Sequence, residues 1–413
     1  MGKDFQTVRG MRDLVGEDAL IEEFLESTFR KVFAKYGFVP LMTPAVENFD
    51  LFKVKGAAGE AIRDEIYYFK DKSERELGLR FEFTASLARV VATNQLKMPY
   101  KRYQIGEVYR YDRPQAKRYR AFIQADADIL GVAGLSAELE LFLTLKDCFN
   151  ALKLKPVFIV NSRKLLQAVL EKYALGKELD AMRALDKLDK MPAIEVKKML
   201  EEKGIDSKVV DLIEKNSLEE IETIVGAEAE GLIEIKKFLQ MAKDANLENV
   251  KFDSRLARGL EYYTGIVFEA KIENGPSILG GGRYDKLVEL YGGQKTPAVG
   301  FAIGVSRLLD YLKESGFKVG MQGMYLFGIG LETEKLFKIA DELRQKEIFV
   351  EVDFSQKGVS KNIEYAQKKG YKFVGILGED EMKAGKITIK NIETGNQEQI
   401  VLKEIEKIRK MIM

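Results

Sequence analysis

The chain has 413 residues, which at roughly 100–200 residues per domain means two or three domains. Apolar residues make up 46%, with 24 Phe and 17 Tyr, enough for a full core, so a disordered or fibrous protein is excluded. Sixty-six Lys and Arg against 65 Asp and Glu leave a net charge of +1, so a polyanion must be met by a local patch. The chain contains no histidine, which excludes imidazole bases, Ser-His-Asp triads and His-ligated metals. Chemistry is left to Arg, Lys, Tyr, carboxylates and backbone groups, a set suited to stabilising charge at phosphoryl groups.

In chain order, the spacing of Leu20, Ile21, Phe24, Leu25, Thr28, Val32 and Phe33 predicts a helix over 17–36, stopped at Gly37. Residues 38–44 then read as extended. Between 77 and 130 the period becomes two. Leu79, Phe81 and Phe83 alternate with Arg80, Glu82 and Thr84; Ile123, Ala125, Ala127 and Ile129 alternate with Gln124, Asp126 and Asp128. A polar row is costly to bury unpaired, so one such strand reads as a solvated face and two of complementary charge read as a pocket floor. Between them lies the densest basic stretch, Lys97, Lys101, Arg102, Arg110, Arg113, Lys117, Arg118 and Arg120. It is placed like a triphosphate clamp beside a small-molecule pocket.

Residues 136–150 are predicted helical, with the lone Cys148 as a buried small hydrophobe. No disulfide is possible within the chain, which fits a reducing compartment. Residues 162–250 are charged and helical, broken at Gly176, Pro192, Gly204 and Gly226. A strand is expected at 266–272, a turn at Gly280-Gly281-Gly282-Arg283, and a closely packed helix or strand-to-helix passage at 299–314. Arg307, in an otherwise apolar helix, needs a partner such as phosphate. Beyond 320, apolar runs at 325–329, 348–352 and 373–377 alternate with helical stretches, the pattern of a mainly parallel sheet. No apolar run approaches ~18 residues and no charged-then-apolar leader precedes Phe5, so a soluble cytoplasmic protein with no membrane contact is expected. The fold class is α/β. An α+β catalytic domain with an antiparallel sheet flanked by helices takes 1–161 and 251–319. A helical insertion takes 162–250, and a mixed α/β domain takes 320–413.

Specific motifs sharpen this. Tyr36-Gly37-Phe38-Val39-Pro40-Leu41-Met42-Thr43-Pro44 resembles the first motif of class II aminoacyl-tRNA synthetases, which forms their dimer interface. Tyr109-Arg110-Tyr111-Asp112-Arg113-Pro114-Gln115 through Arg118 and Phe122 resembles the second, and Gly300 to Arg307 the third. Arg258-Gly259-Leu260-Glu261-Tyr262-Tyr263 and Gly282-Arg283-Tyr284-Asp285 are similar to histidine-binding signatures of the histidyl-tRNA synthetase family. The resemblance spans nearly the whole chain.

It implies a homodimeric ligase that joins L-histidine to histidine tRNA at the cost of ATP, with Mg²⁺. Arg110 would bind the ATP α-phosphate, Arg118 the outer phosphates and Arg307 the γ-phosphate. Glu82 and Thr84 would hold the histidine ammonium, and Gln124 the ammonium or carboxylate. Asp128 and Tyr263 would grip the two imidazole nitrogens, with Tyr284 closing the pocket. Arg258 would bridge carboxylate and α-phosphate, so Arg258 and Arg110 are the catalytic candidates. The segment 320–413 resembles the anticodon-binding domain of this class, and 97–120 with Arg9-Gly10-Met11-Arg12 are places where tRNA contacts are expected. The sequence departs from the pattern at Ser306, where the third motif often carries Glu, and at Phe81, where many relatives carry Pro before the Glu. The alternative is the histidine-sensing regulatory subunit of ATP phosphoribosyltransferase, which typically lacks the ATP arginines and the last domain.

Overall fold

The computed structural model describes residues 5–54, 65–111, 118–188, 191–256, 262–272, 275, 277–355 and 357–412. The chain divides into two compact units, Met1–Gly316 and Phe317–Met413. Among the described residues, no helix is long and apolar enough to cross a membrane.

The first unit is built on an eight-stranded sheet in the order Val39–Pro40, Tyr100–Tyr109, Ala121–Leu130, Ala298–Gly304, Ser277–Arg283, Ile266–Lys271, Val157–Ser162, Val250–Phe252. Its neighbours are antiparallel except at the two edges, where short strands pair in parallel. One face is apolar because alternate residues of each strand are apolar. The helix Glu17–Lys35 buries Ile21, Leu25, Phe29, Val32 and Phe33, and Phe33 meets Tyr103 and Phe301 at 5.3 and 6.0 Å between ring centres. The helix Ser136–Ala151 brings Phe142 against Phe158 and Phe268 at 5.3 and 4.8 Å. Cys148 is buried in this layer, which pushes its thiol up and leaves it inert.

Between the strand Val157–Ser162 and the edge strand Val250–Phe252 the described residues form six helices, from Arg163–Tyr173 to Glu230–Asp244. The second unit carries a five-stranded sheet in the order Val350–Val352, Met321–Gly328, Tyr371–Leu377, Lys386–Asn391, Gln397–Val401. Its first three strands are parallel and the last two antiparallel. Besides the helices expected there, a short one lies at Glu379–Ala384.

Two expectations are corrected. The strand expected across 79–84 ends at Leu79, and a helix begins at Thr84. The Glu82 carboxylate accepts the backbone N–H of Thr84, and that of Ala85 at 2.6 Å, so it satisfies orphan donors of the first turn as a capping group does. The glycine triplet is no turn but lies inside the strand Ser277–Arg283. A Cβ on Gly281 would stand 2.5 Å from the Gly300 carbonyl oxygen and from the Phe268 ring. The triplet answers close packing rather than chain reversal.

Candidate active site

Strand register assembles the site. Asp128 stands opposite Arg102 on one neighbouring strand and Gly300 on the other; Asp126 stands opposite Gln104 and Ala302; Gln124 opposite Gly106 and Gly304. The rows continue from Gly300 to Gly282 and from Ala302 to Gly280, and Gly280 faces Glu269. Residues two apart share a face, so these rows lie on the side away from the aromatic layer. Gln124, Asp126 and Asp128 are all buried. The small residues beside them make room: a Cβ on Gly300 would fall 1.9 Å from Asp128 Oδ1.

A cavity of about 80 Å³ opens on these rows, lined by Glu82, Thr84, Arg110, Gln124, Asp128, Tyr263 and Tyr284, and also by Asp126 and Tyr262. Carboxylates dominate its charged lining. The Glu82 carboxylate is pushed up by burial and pulled back by Thr84 and the Ala85 N–H. Arg102, which is not part of the lining, has Nη2 2.5 Å from Asp128 Oδ2, and the Tyr284 hydroxyl donates to Asp128 Oδ1. The Arg102 side chain is 0% exposed. Burial pulls its guanidinium down, but Asp128 and Asp126 outweigh that and hold it above its ordinary value. Burial raises Asp128, against Arg102 and the Tyr284 hydroxyl. Asp126 is raised furthest, by burial and by the neighbouring Asp128 charge. Burial also keeps the Tyr263 and Tyr284 hydroxyls protonated, hence able to donate.

A second cavity, of about 420 Å³, shares Arg110, Gln124 and Tyr263 with the first and adds Arg118, Arg307, Ser306, Phe122 and Glu269. Arg110 donates from Nε to the Phe81 carbonyl at 3.1 Å and lies over the Phe122 ring at 5.3 Å. Arg307 donates from Nη1 to the Ser277 carbonyl at 2.8 Å. Ser306, the residue that departs from the motif, accepts the Ile123 backbone N–H at 2.9 Å and ties the start of the helix Val305–Glu314 to the Ala121–Leu130 strand. Three arginines therefore face one space that adjoins an acid-lined pocket, an arrangement able to hold a polyphosphate beside a small cationic molecule.

Every sequence-predicted site residue among those described lines one of the two cavities. Arg258 lies outside the described residues, as do Asp112, Arg113 and Lys117 of the basic stretch. Sequence reasoning places Asp126 in the polar row of the pocket floor but gives it no role, and it misses Tyr262 as a lining residue and Arg102 as the partner of Asp128. Arg102 carries a signal, since Arg102 and Gln104 alternate with Tyr103 in phase with the polar row, but its place in a basic stretch masks it.

The chain is similar to known proteins along almost its whole length. Residues 10–308 match the family described as Histidyl-tRNA synthetase, and residues 328–410 the Anticodon binding domain. Relatives from Saccharolobus islandicus (strain L.S.2.15 / Lassen #1) and Saccharolobus solfataricus, both named histidine–tRNA ligase, are 36% identical over 97% of this chain and 98% and 97% of their own. The crystal structure of a histidyl-tRNA synthetase from Nostoc sp. PCC 7120 superposes with a TM-score of 0.85 at 26% identity, covering 99% of this chain and 100% of that one. A structure from Bacillus halodurans C described as an ATP phosphoribosyltransferase regulatory subunit/histidyl-tRNA synthetase reaches 0.75 at 21% identity over 92% of this chain and 99% of its own, a likeness of fold alone. With relatives of that similarity along almost its full length, the chain belongs to the histidyl-tRNA synthetase family of aminoacyl-tRNA synthetases.

Proposed function

We propose that the chain activates L-histidine with ATP, forming histidyl-adenylate and pyrophosphate, and then transfers histidine to the 3′ end of its tRNA. The observation that carries this reading is the junction of the two cavities at Arg110, Gln124 and Tyr263. An amino acid in the small cavity would present its carboxylate where Arg110 reaches the nucleotide. The histidine carboxylate is already an anion, so in-line attack on the α-phosphorus needs orientation and charge neutralisation rather than a base. Arg110 and Arg258 are assigned to that charge, Arg118 and Arg307 to the outer phosphates. Glu82 and Thr84, with Gln124, receive the ammonium end. Asp128 and Tyr263 pair with the two ring nitrogens, and Tyr284 closes the pocket. A competitor lacking either nitrogen leaves a buried group unpaired, a heavier penalty than poor shape.

Among the described residues no group of three or more carboxylates could cage a metal. Mg²⁺ commonly binds through one or two carboxylates plus substrate phosphates, so the arrangement fits it, with Glu269 as the carboxylate facing the larger cavity. When bound, the ion would neutralise charge on the phosphates. A homodimer is supported by exposed apolar groups beside the edge strand Val39–Pro40, including Met42 at 90% exposure. A cytoplasmic location is in keeping with the single buried thiol. The match of 328–410 to an anticodon-binding domain favours the ligase over a histidine-sensing subunit.

The test is ATP–pyrophosphate exchange with each amino acid in turn. Exchange that needs histidine, and that Arg258→Ala abolishes, is the expected result. Tight histidine binding without histidine-dependent exchange would favour the sensor instead.

A further inference from the structure

Beside the larger cavity, and reaching its wall through Tyr119, lies a half-buried polar cluster that none of the roles above employs. Arg12, in the segment before the first helix, lays its guanidinium 3.8 Å from the centre of the Tyr119 ring. Its Nη1 donates to the Tyr119 hydroxyl at 2.6 Å and to Asp310 Oδ1 at 2.9 Å. The Tyr119 hydroxyl in turn donates to Asp310 Oδ2 at 2.9 Å. The same segment is fixed a second time, because the Arg120 backbone N–H donates to the Gly10 carbonyl at 2.7 Å. Gly10 has φ +86°, and a Cβ there would stand 2.9 Å from Arg120 Cγ, so only glycine lets the chain lie this close.

The three partners are 107 and 298 positions apart in sequence, and two of them adjoin the arginines of the larger cavity. Tyr119 follows Arg118 in the chain and itself lines that cavity. Asp310 lies three residues after Arg307, one turn along the helix Val305–Glu314. One planar guanidinium, stacked on a ring and bonded to a carboxylate, therefore joins the segment bearing Arg118 to the helix bearing Arg307. Arginine suits this because its fork is rigid and stacks on aromatic faces, whereas a lysine holds a partner only at a point.

We propose that Arg12 is a positioning residue for the nucleotide: it staples the two elements that carry Arg118 and Arg307 and so sets the width of the outer end of the larger cavity. This rests on the reading of that cavity as the ATP site. Both arginines are long and flexible, so their reach depends on where their backbones are anchored, and errors of about 1 Å in such placement cost as much as ~100-fold in rate. The outer end would hold the β- and γ-phosphates in the forward direction and pyrophosphate in the reverse. Arg12 thus commits Nη1 and its ring-stacking face inside the fold.

The full-length chain is assayed by histidine-dependent ATP–pyrophosphate exchange. For Arg12→Ala, the KM for ATP and the KM for pyrophosphate should each rise about tenfold while the KM for histidine stays within about twofold, a pattern that general loosening does not produce. Arg12→Lys should recover part of the loss. Tyr119→Phe keeps the stacking ring but removes the hydroxyl, and should show the same nucleotide-only pattern at about threefold; it keeps the test open should Arg12→Ala not fold. A histidine KM that climbs in step with that of ATP, or nucleotide KM values unchanged in both variants, overturns the proposal. Wild-type exchange that ignores histidine would instead sink the functional reading.

Discussion

The sheet of the first unit and that of the second both pack helices against an apolar face, yet their opposite faces differ. In the second unit one face packs Met324, Leu326, Leu336, Ile339, Val352 and Ile389 into an aliphatic core. The other face carries Tyr325, Phe327, Tyr371 and Val374. Its buried Asp353 accepts the Tyr325 hydroxyl at 3.1 Å and the Ser355 backbone N–H at 2.7 Å. In the first unit the face away from the aromatic layer holds Arg102, Asp126 and Asp128, all buried. Among the described residues, Arg102 Nε and Nη1, Gln124 Oε1 and Asp126 Oδ1 have no hydrogen-bond partner there. Buried ions cost several kcal/mol each and uncompensated polar atoms ~1–3 kcal/mol. The contrast teaches that one sheet devotes its buried area to stability, while the other gives part of that stability up to keep unsatisfied groups facing a ligand.

The strongest way to break this contrast is Arg102→Met. It strands Asp128 as a buried charge, so the first unit should lose about 3–5 kcal/mol, read by chemical denaturation, and histidine-dependent exchange should fall more than about 100-fold. Arg102→Met with Asp128→Asn should regain much of the stability but not the activity. A stable, active single variant would show that the pair is incidental. Next in size, Leu326→Ala removes a fully buried side chain from the aliphatic core and should cost about 2–5 kcal/mol. Exchange measured under native conditions should stay at the wild-type level, because every residue to which activation is assigned above precedes Gly316; a parallel loss would show that the two units do not bear stability and activation separately.

Gly300→Ala probes the tolerance of the floor itself. The added methyl meets Asp128, and the overpacking should cost about 1–3 kcal/mol. The KM for histidine should rise at least about tenfold while that for ATP changes little; equal changes in both would move the contact out of the amino-acid pocket. The smallest effect concerns pH. Burial and the neighbouring Glu26 push Glu22, on the first helix, up to about 7, with Arg12 opposing. Its folded form therefore holds a proton that the unfolded chain releases near 4.5. The stability this contributes is complete below about pH 4.5 and is lost as pH rises through about 7. Glu22→Gln should be more stable than wild type at pH 8 by about 1 kcal/mol, a figure discounted for the half-exposed position, and no more stable at pH 4. Urea midpoints at the two pH values decide it.

Where a single strand carries the information, the sequence is a good guide. The alternation through Gln124, Asp126 and Asp128 marks the pocket floor, and Arg307 in an apolar helix marks a charged cavity wall. Glu82 shows the limit: the alternation from Leu79 to Thr84 runs for six residues only, too short to separate a strand from a helix start whose first N–H groups need a carboxylate. The glycine triplet shows another, because its cause is the Gly300 carbonyl and the Phe268 ring, visible only after strands pair. The Arg102–Asp128 contact depends on register between two strands, and the Arg12 cluster on three distant segments. Neither is written in any local pattern.

The six-helix insertion leaves the sheet after Ser162 and re-enters at Val250 on the strand immediately alongside, at the edge remote from Asp128. Its two ends are thus moored to adjacent berths at the rim. Because departure and return are side by side, the length of this excursion is decoupled from the register that sets Asp128 against Arg102, and residues can be added to or removed from it without shifting any strand of the pocket floor.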